Sequence, residues 1–192
     1  MYLIKTPFWL RAIYPNCIWR KPANEKVIYI SFDDGPHPCA TPFVLEQLNK
    51  YNAKATFFCI GKNVLSYPNI YESVLHHGHA VGNHTYDHLN GWKVGTDDYI
   101  NNIKSAASLI ASDLFRPPYG RLSSYRAHKL SKKYKIILWS WLSYDFDTRV
   151  SLDEILLNAE KNIQNGDILV LHDNYKFAVR QKELLPKLVK LL

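Results

Sequence analysis

Short apolar segments alternate with amphipathic stretches along nearly the whole 192-residue chain, and this alternation restricts the fold more than any other feature. Strands are expected near 26–33, 54–60, 79–84, 113–116, 135–141 and 167–172, with helices near 42–52, 69–77, 97–111, 123–133, 152–164 and 181–191. A strand that returns through a helix lies parallel to its predecessor. The expected fold class is therefore α/β, one domain on a parallel sheet that is closed or nearly so. Several helices carry their own end signals. Thr41-Pro42 reads as an N-cap and first-turn proline. Ser151-Leu-Asp-Glu154 fits a capping box, and Asp97 and Asp98 suit the positive end of a helix. Gly78 and Gly166 read as helix stops.

The polar residues that carry chemistry gather where these strands end. Ser-Phe-Asp33-Asp34-Gly-Pro sets adjacent carboxylates where the 26–33 strand turns. His84-Thr-Tyr-Asp-His88 spaces two imidazoles four residues apart, the spacing of one helical face. Arg116-Pro-Pro-Tyr119-Gly follows an apolar pair, and a guanidinium there suits a carboxylate partner that it keeps ionised. Trp139-Ser-Trp-Leu-Ser-Tyr-Asp145-Phe146-Asp147 runs out into carboxylates among aromatics, and Ile168-Leu-Val-Leu171-His172-Asp173 ends on an imidazole. The C-terminal edge of a parallel sheet is where such folds bind ligands. One carboxylate and two imidazoles make a common zinc ligand set with a position left for water, and the second carboxylate remains available as a base.

In this order, from residue 31 to residue 173, the five strings resemble those of polysaccharide deacetylases of the NodB-homology type, carbohydrate esterase family 4. The resemblance implies a distorted, incomplete (β/α) barrel of about seven parallel strands. It implies that Asp33 is the general base and that Asp34, His84 and His88 hold one divalent metal, zinc first, with cobalt or nickel as substitutes. Arg116 would orient and charge-balance Asp33, and the backbone N–H of Tyr119 would help bind the oxyanion. Asp145 would support His172 as general acid, with Asp147 a competing candidate, and Phe146 and Leu171 would shape the acetyl pocket. Departures from the family pattern are Ser31 for Thr, Leu142 for the first Asp of the fourth motif and Phe146 for its Trp.

The implied activity is hydrolysis of N-acetyl groups on an amino-sugar polymer or glycan, peptidoglycan or chitin-like. That reaction needs an activated water, a stabilised oxyanion and a proton for a poor amine leaving group. The alternatives are a catalytically silent glycan-binding module and a metal hydrolase of a small amide, imide or O-acetyl ester. Matched acid and base residues argue against the silent module, since binding alone needs neither. Short loops predict an open, shallow groove.

The charge balance of 24 basic against 17 acidic residues is spread over helix faces, and no binding motif accompanies it, so nucleic acid is not an expected partner. A monomer is expected. Residues 1–22 are set apart as an N-terminal strap and 23–192 as the catalytic domain. Lys5, Pro7, Arg11 and Pro15 interrupt any signal-peptide core, leaving a packed strap or a membrane-surface contact through residues 1–20. The expected location is accordingly cytoplasmic or membrane-associated. Cys17, Cys39 and Cys59 are odd in number and lack a CxxC, which reads as reduced thiols in or near the core. His76, His77 and His79 read as helix-end surface residues rather than a second metal site. Asn83-His-Thr85 matches a glycosylation sequon, an accident if His84 binds metal.

Overall fold

A computed structural model describes residues 5–24 and 26–192. Its eight strands are β1 (Cys17–Ile18), β2 (Tyr29–Asp33), β3 (Ala55–Cys59), β4 (Ala80–Asn83), β5 (Leu114–Phe115), β6 (Lys135–Ile137), β7 (Trp141–Leu142) and β8 (Ile168–His172). They form one sheet in the order β1-β6-β5-β4-β3-β2-β8-β7, with every neighbouring pair parallel. The helices are α1 (Phe8–Ile13), α2 (Thr41–Lys50), α3 (Gly61–Ser66), α4 (Pro68–His76), α5 (Thr96–Ala107), α6 (Ser124–Ser131), α7 (Leu152–Asn162) and α8 (Ala178–Leu191).

The expected strand at 135–141 is two strands, β6 and β7, which lie six places apart in the sheet. In a flat sheet that separation is about 29 Å, at roughly 4.8 Å per strand. The chain from Ile137 to Trp141 spans at most about 14 Å when fully extended. The sheet must therefore curl, and it does so into an incomplete barrel whose edge strands β1 and β7 do not pair. The fold is the expected α/β half-barrel, with eight strands where about seven were expected.

Two apolar clusters fill it. One joins Phe32, Phe57, Trp141, Leu169 and Leu171 of the sheet to Val44, Leu48, Leu184 and Leu188 of α2 and α8. The second packs Phe115 and Ile136 against Tyr99, Ile103 and Leu130 of α5 and α6, and includes Cys17 and Trp19. The Ser151–Glu154 capping box forms as expected, and Asp97 and Asp98 occupy the first turn of α5.

Several local expectations change. Thr41 is not the cap of α2 but its first residue; its hydroxyl accepts from the His37 N–H (2.8 Å) and donates to Asp173 (2.6 Å). Gly166 does not stop a helix, since α7 ends at Asn162 and Gly166 lies in the turn before β8. Cys39 is exposed, whereas Cys17 and Cys59 are buried and burial raises both thiol pKa values, to about 11 for Cys17. His79 is buried rather than superficial. It accepts from the Ala55 N–H (3.3 Å), and burial with Lys54 and His77 nearby lowers its pKa to about 4.

The N-terminal expectation for residues 1–4 lies outside the described residues. From Lys5 onward the segment follows the sheet edges: the Thr6 N–H donates to Ser140 O (3.1 Å), its hydroxyl to Trp139 O (2.7 Å), and β1 pairs with β6. Helix α1 buries none of its residues and leaves Phe8, Trp9 and Ile13 exposed. Among the described residues, no helix is long and apolar enough to cross a membrane.

Candidate active site

All eight strands point their C-terminal ends at one edge of the sheet, and a cavity of about 640 Å³ opens there, lined by Asp33, Asp34, His84, His88, Tyr119 and His172 among others. Asp33 ends β2 opposite His172 at the end of β8, the two being register partners on adjacent strands.

Asp33 is buried and Arg116 is wholly so. The Arg116 Nη1 donates to Asp33 Oδ1 at 2.6 Å and to the Ser31 hydroxyl at 2.7 Å, and its Nε donates to Ile137 O at 3.1 Å. The guanidinium also lies 4.0 Å from the centroid of the Phe58 ring. The Ser31 hydroxyl donates a hydrogen bond to Leu169 O, so the Ser-for-Thr departure keeps a hydroxyl in this network. Removing one partner of a buried ion pair strands the other charge, at a cost of about 3–5 kcal/mol. Arg116→Leu is therefore expected to lower unfolding stability by about that amount in urea titrations, and adding Asp33→Asn to recover part of it. A loss under 1 kcal/mol, roughly the value of an exposed pair, would contradict the pairing.

The His-x-x-x-His spacing brings the two imidazoles together, but not through a helix. Residues 84–88 form a loop after β4, with Thr85 and His88 at φ of 63° and 57°. Asn102 on α5 pins that loop: its carbonyl oxygen accepts from the N–H groups of Tyr86 (2.8 Å) and Asp87 (3.0 Å). Asn83 is fully buried, its amide donating to Ile103 O and its oxygen accepting from the Thr85 N–H, so the sequon match is a turn element. Among the described residues, five of the six non-glycine residues with positive φ, Asp34, Thr85, His88, Tyr119 and Tyr144, lie in turns or loops at this edge. Strained backbone of this kind concentrates where function demands it.

His84 Nε2 lies 3.6 Å and His88 Nε2 3.1 Å from Asp34 Oδ1, and the three ligand atoms fall within 4.8 Å of one another. Bonds of about 2.0–2.1 Å in a tetrahedral zinc site place neighbouring ligand atoms roughly 3.3 Å apart. The donor set therefore fits a divalent ion. The hydrogen bond between His84 Nδ1 and Arg116 O (2.8 Å) leaves the Nε2 lone pair facing Asp34. Burial lowers the His84 pKa to about 4, keeping the imidazole neutral, the form that binds metal. Burial alone would raise the Asp34 pKa, but the His88 hydrogen bond and the charges of His172, His84 and His88 outweigh it and hold the carboxyl well below its usual range. Asn174 donates to Asp34 Oδ2 (2.7 Å) and Asn63 to Asp34 O (2.7 Å).

Across the cavity, His172 Nδ1 meets Asp145 Oδ1 at 2.7 Å, and the His172 N–H donates to Asp145 Oδ2 at 2.8 Å. Ser143 and Gln181 also donate to this fully buried carboxylate. Asp147 instead meets Arg149 at 2.7 Å, so Asp145 is the partner of His172. Burial opposes a charged His172, yet Asp145, with Asp34 and Asp33 behind it, raises the pKa to about 9.

The remaining site residues divide. Phe146 lines the cavity and meets the His172 ring edge-on at 5.2 Å. Leu171 does not line it: strand alternation turns Leu171 into the core, and Val170 and Leu142 face the cavity instead. Tyr119 sits at φ 60° with its ring 4.6 Å from that of His88. The turn continues through Gly120, where an added Cβ would come within 2.6 Å of the Trp139 indole. Asp173, given no role from the sequence, accepts from the Gly35 N–H (3.0 Å) and the Thr41 hydroxyl (2.6 Å), tying the Asp33-Asp34 turn to α2.

A family model for polysaccharide deacetylases matches residues 20–136. A peptidoglycan-N-acetylglucosamine deacetylase of Bacillus cereus is 39% identical over 163 residues, covering 81% of this chain and 76% of that protein. A chitooligosaccharide deacetylase of Azorhizobium caulinodans is 37% identical over 161 residues, covering 78% and 75%. The crystal structure of the Bc1960 peptidoglycan N-acetylglucosamine deacetylase superposes with a TM-score of 0.82 at 31% identity, over 96% of this chain and 91% of that one.

Proposed function

Since this chain belongs to the polysaccharide deacetylase family, we propose that it hydrolyses N-acetyl groups of an amino-sugar glycan in a metal-dependent reaction, with Asp33 as base and His172 as acid. One observation carries the proposal: the Asp34, His84 and His88 ligand atoms converge within 4.8 Å at the sheet edge where Asp33 and His172 end adjacent strands.

A divalent ion held by those three residues would polarise the acetamide carbonyl and bring the pKa of a water from about 15.7 towards ~7. Asp33 takes the proton of the attacking water at Oδ2, because Oδ1 is committed to Arg116 and Oδ2 faces His84 Nε2 at 4.0 Å. The backbone N–H of Tyr119 supports the oxyanion. His172, held through Nδ1 by Asp145, gives its Nε2 proton to the departing amine as the carbon–nitrogen bond breaks. Acetate and a free amino sugar result. Trp139, Leu142, Phe146 and Val170 supply an apolar wall for the acetyl methyl.

Zinc suits two imidazoles and a carboxylate, with cobalt or nickel as functional substitutes. The test is acetate release from N-acetylated chitooligosaccharides, peptidoglycan and an O-acetylated xylan, with added zinc and with chelator. Chelator-sensitive release from the N-acetylated glycans is the expected result. Release from xylan alone would move the activity to O-acetyl esters, and tight glycan binding without release would make the chain a silent binding module.

A further inference from the structure

The turn that carries Asp34 is pinned by several elements. The Asp173 carboxylate accepts from the Gly35 N–H (3.0 Å) and from the Thr41 hydroxyl (2.6 Å). The Ile60 N–H, just past the end of β3, donates to Gly35 O (2.9 Å). An added Cβ at Gly35 would collide with the Asp173 carboxylate, so the turn has no slack. Within it Asp34 stands at φ 80°. That left-handed conformation costs a non-glycine residue roughly 1–3 kcal/mol and persists only where the surroundings over-determine it.

Two side-chain amides do so at Asp34 itself. Asn63 on α3 donates to Asp34 O (2.7 Å), which holds the backbone. Asn174, two residues past the end of β8, donates to Asp34 Oδ2 (2.7 Å). The Asn174 Oδ1 accepts from the Lys176 N–H (2.9 Å). This second bond orients the amide: its oxygen is engaged within its own loop, and its nitrogen is left to donate. The two carboxylate oxygens of Asp34 are thereby divided. Oδ2 belongs to Asn174, whereas Oδ1 faces His88 Nε2 at 3.1 Å and His84 Nε2 at 3.6 Å. Neither asparagine belongs to the five strings that stand out in the sequence.

We infer that Asn174 and Asn63 are positioning residues for metal binding. Asn174 turns Asp34 so that Oδ1 alone is presented to the ion, and Asn63 holds the strained backbone on which that carboxylate is mounted. The inference rests on the metal-dependent reading above and deepens it. A carboxylate free to rotate loses that freedom when it binds a metal, and one already held by an amide does not. Ligation through one oxygen also leaves the next coordination position to water, as a three-ligand catalytic site requires.

The test is the zinc affinity of the full chain, measured by competition with a chromogenic chelator, for the wild type, Asn174→Leu and Asn63→Ala. Leucine keeps the approximate size of the asparagine side chain and removes the donor. Each variant is expected to bind zinc about 10–100-fold more weakly, while the metal-free chain still unfolds cooperatively. At saturating zinc, deacetylase kcat should return to near the wild-type value with KM unaltered. That recovery separates residues that position a ligand from residues that bind glycan. Wild-type zinc affinity in either variant would overturn the role of the residue replaced, and so would a weaker affinity in a chain that no longer unfolds cooperatively. A wild type that binds no zinc would instead refute the Asp34, His84 and His88 ligand set, and the positioning role with it. A wild type that binds zinc but releases no acetate would refute the catalytic reading, and the affinity comparison would still decide the role of both asparagines.

Discussion

His84→Ala is expected to lose the bound divalent ion and the deacetylase activity together. His84 is the most enclosed of the three ligands, with its Nδ1 committed to Arg116 O and its Nε2 aimed at Asp34. Asn83 and Arg116 beside it are buried and hydrogen-bonded, so neither is positioned to rotate into its place. Metal content after dialysis should fall from about one ion per chain to near none. Several kcal/mol of transition-state stabilisation disappear with the ion, which corresponds to a loss of at least about 10³-fold in kcat/KM. His88→Ala should be milder, since His88 stands partly open at the edge of its loop and water can replace it. Full metal occupancy in His84→Ala would refute the ligand assignment, and a circular dichroism spectrum like the wild type's would exclude misfolding as the cause of loss.

What the sequence made legible follows from the range of the forces involved. Asp33, Asp34, His84, Arg116 and His172 stood out because each lies at the end of an apolar run, and a parallel sheet gathers such ends at one edge; His88 stood out through its spacing from His84. The capping box at Ser151 was legible because its partners are three residues apart. The His84–His88 pair converges without the helix its spacing suggested: four residues bring the two rings to 5.1 Å in this strained loop. Two-residue strands such as β1 and β7 are too short to show any period, so β1 was missed and β6 ran into β7. The groups that position the site were the least visible. Gln181 reaches Asp145 across 36 residues and Asn174 reaches Asp34 across 140, and no local pattern announces either bond. The Leu171 misplacement was avoidable, since strand alternation from His172 leads to Val170.

The second large effect concerns proton delivery to the leaving group. His172→Ala should retain the metal, because His172 is not among the three converging ligands, yet lose about 10²–10⁴-fold in kcat on an N-acetylated sugar. An activated aryl acetate expels a stable phenolate that needs no proton, so its hydrolysis should fall far less. That contrast separates an acid from a residue that merely shapes the cavity. The pH profile separates the two candidate supports of the acid. His172 must be protonated to act, so activity should decline as pH rises through its raised pKa. A bound dication offsets the contributions of Asp34 and Asp33 to that raised pKa, leaving Asp145 at 2.7 Å as the group that sustains it. Replacing Asp145 by Asn removes the favourable charge and leaves burial, which lowers a histidine pKa. The alkaline limb should then move to lower pH by about 1–3 units. Asp147→Asn should leave the limb where the wild type has it, because that carboxylate pairs with Arg149 and it is Asp145 that meets His172. If the limb moved with Asp147 and stayed with Asp145, the proton would be held by a network other than the one that ends β8.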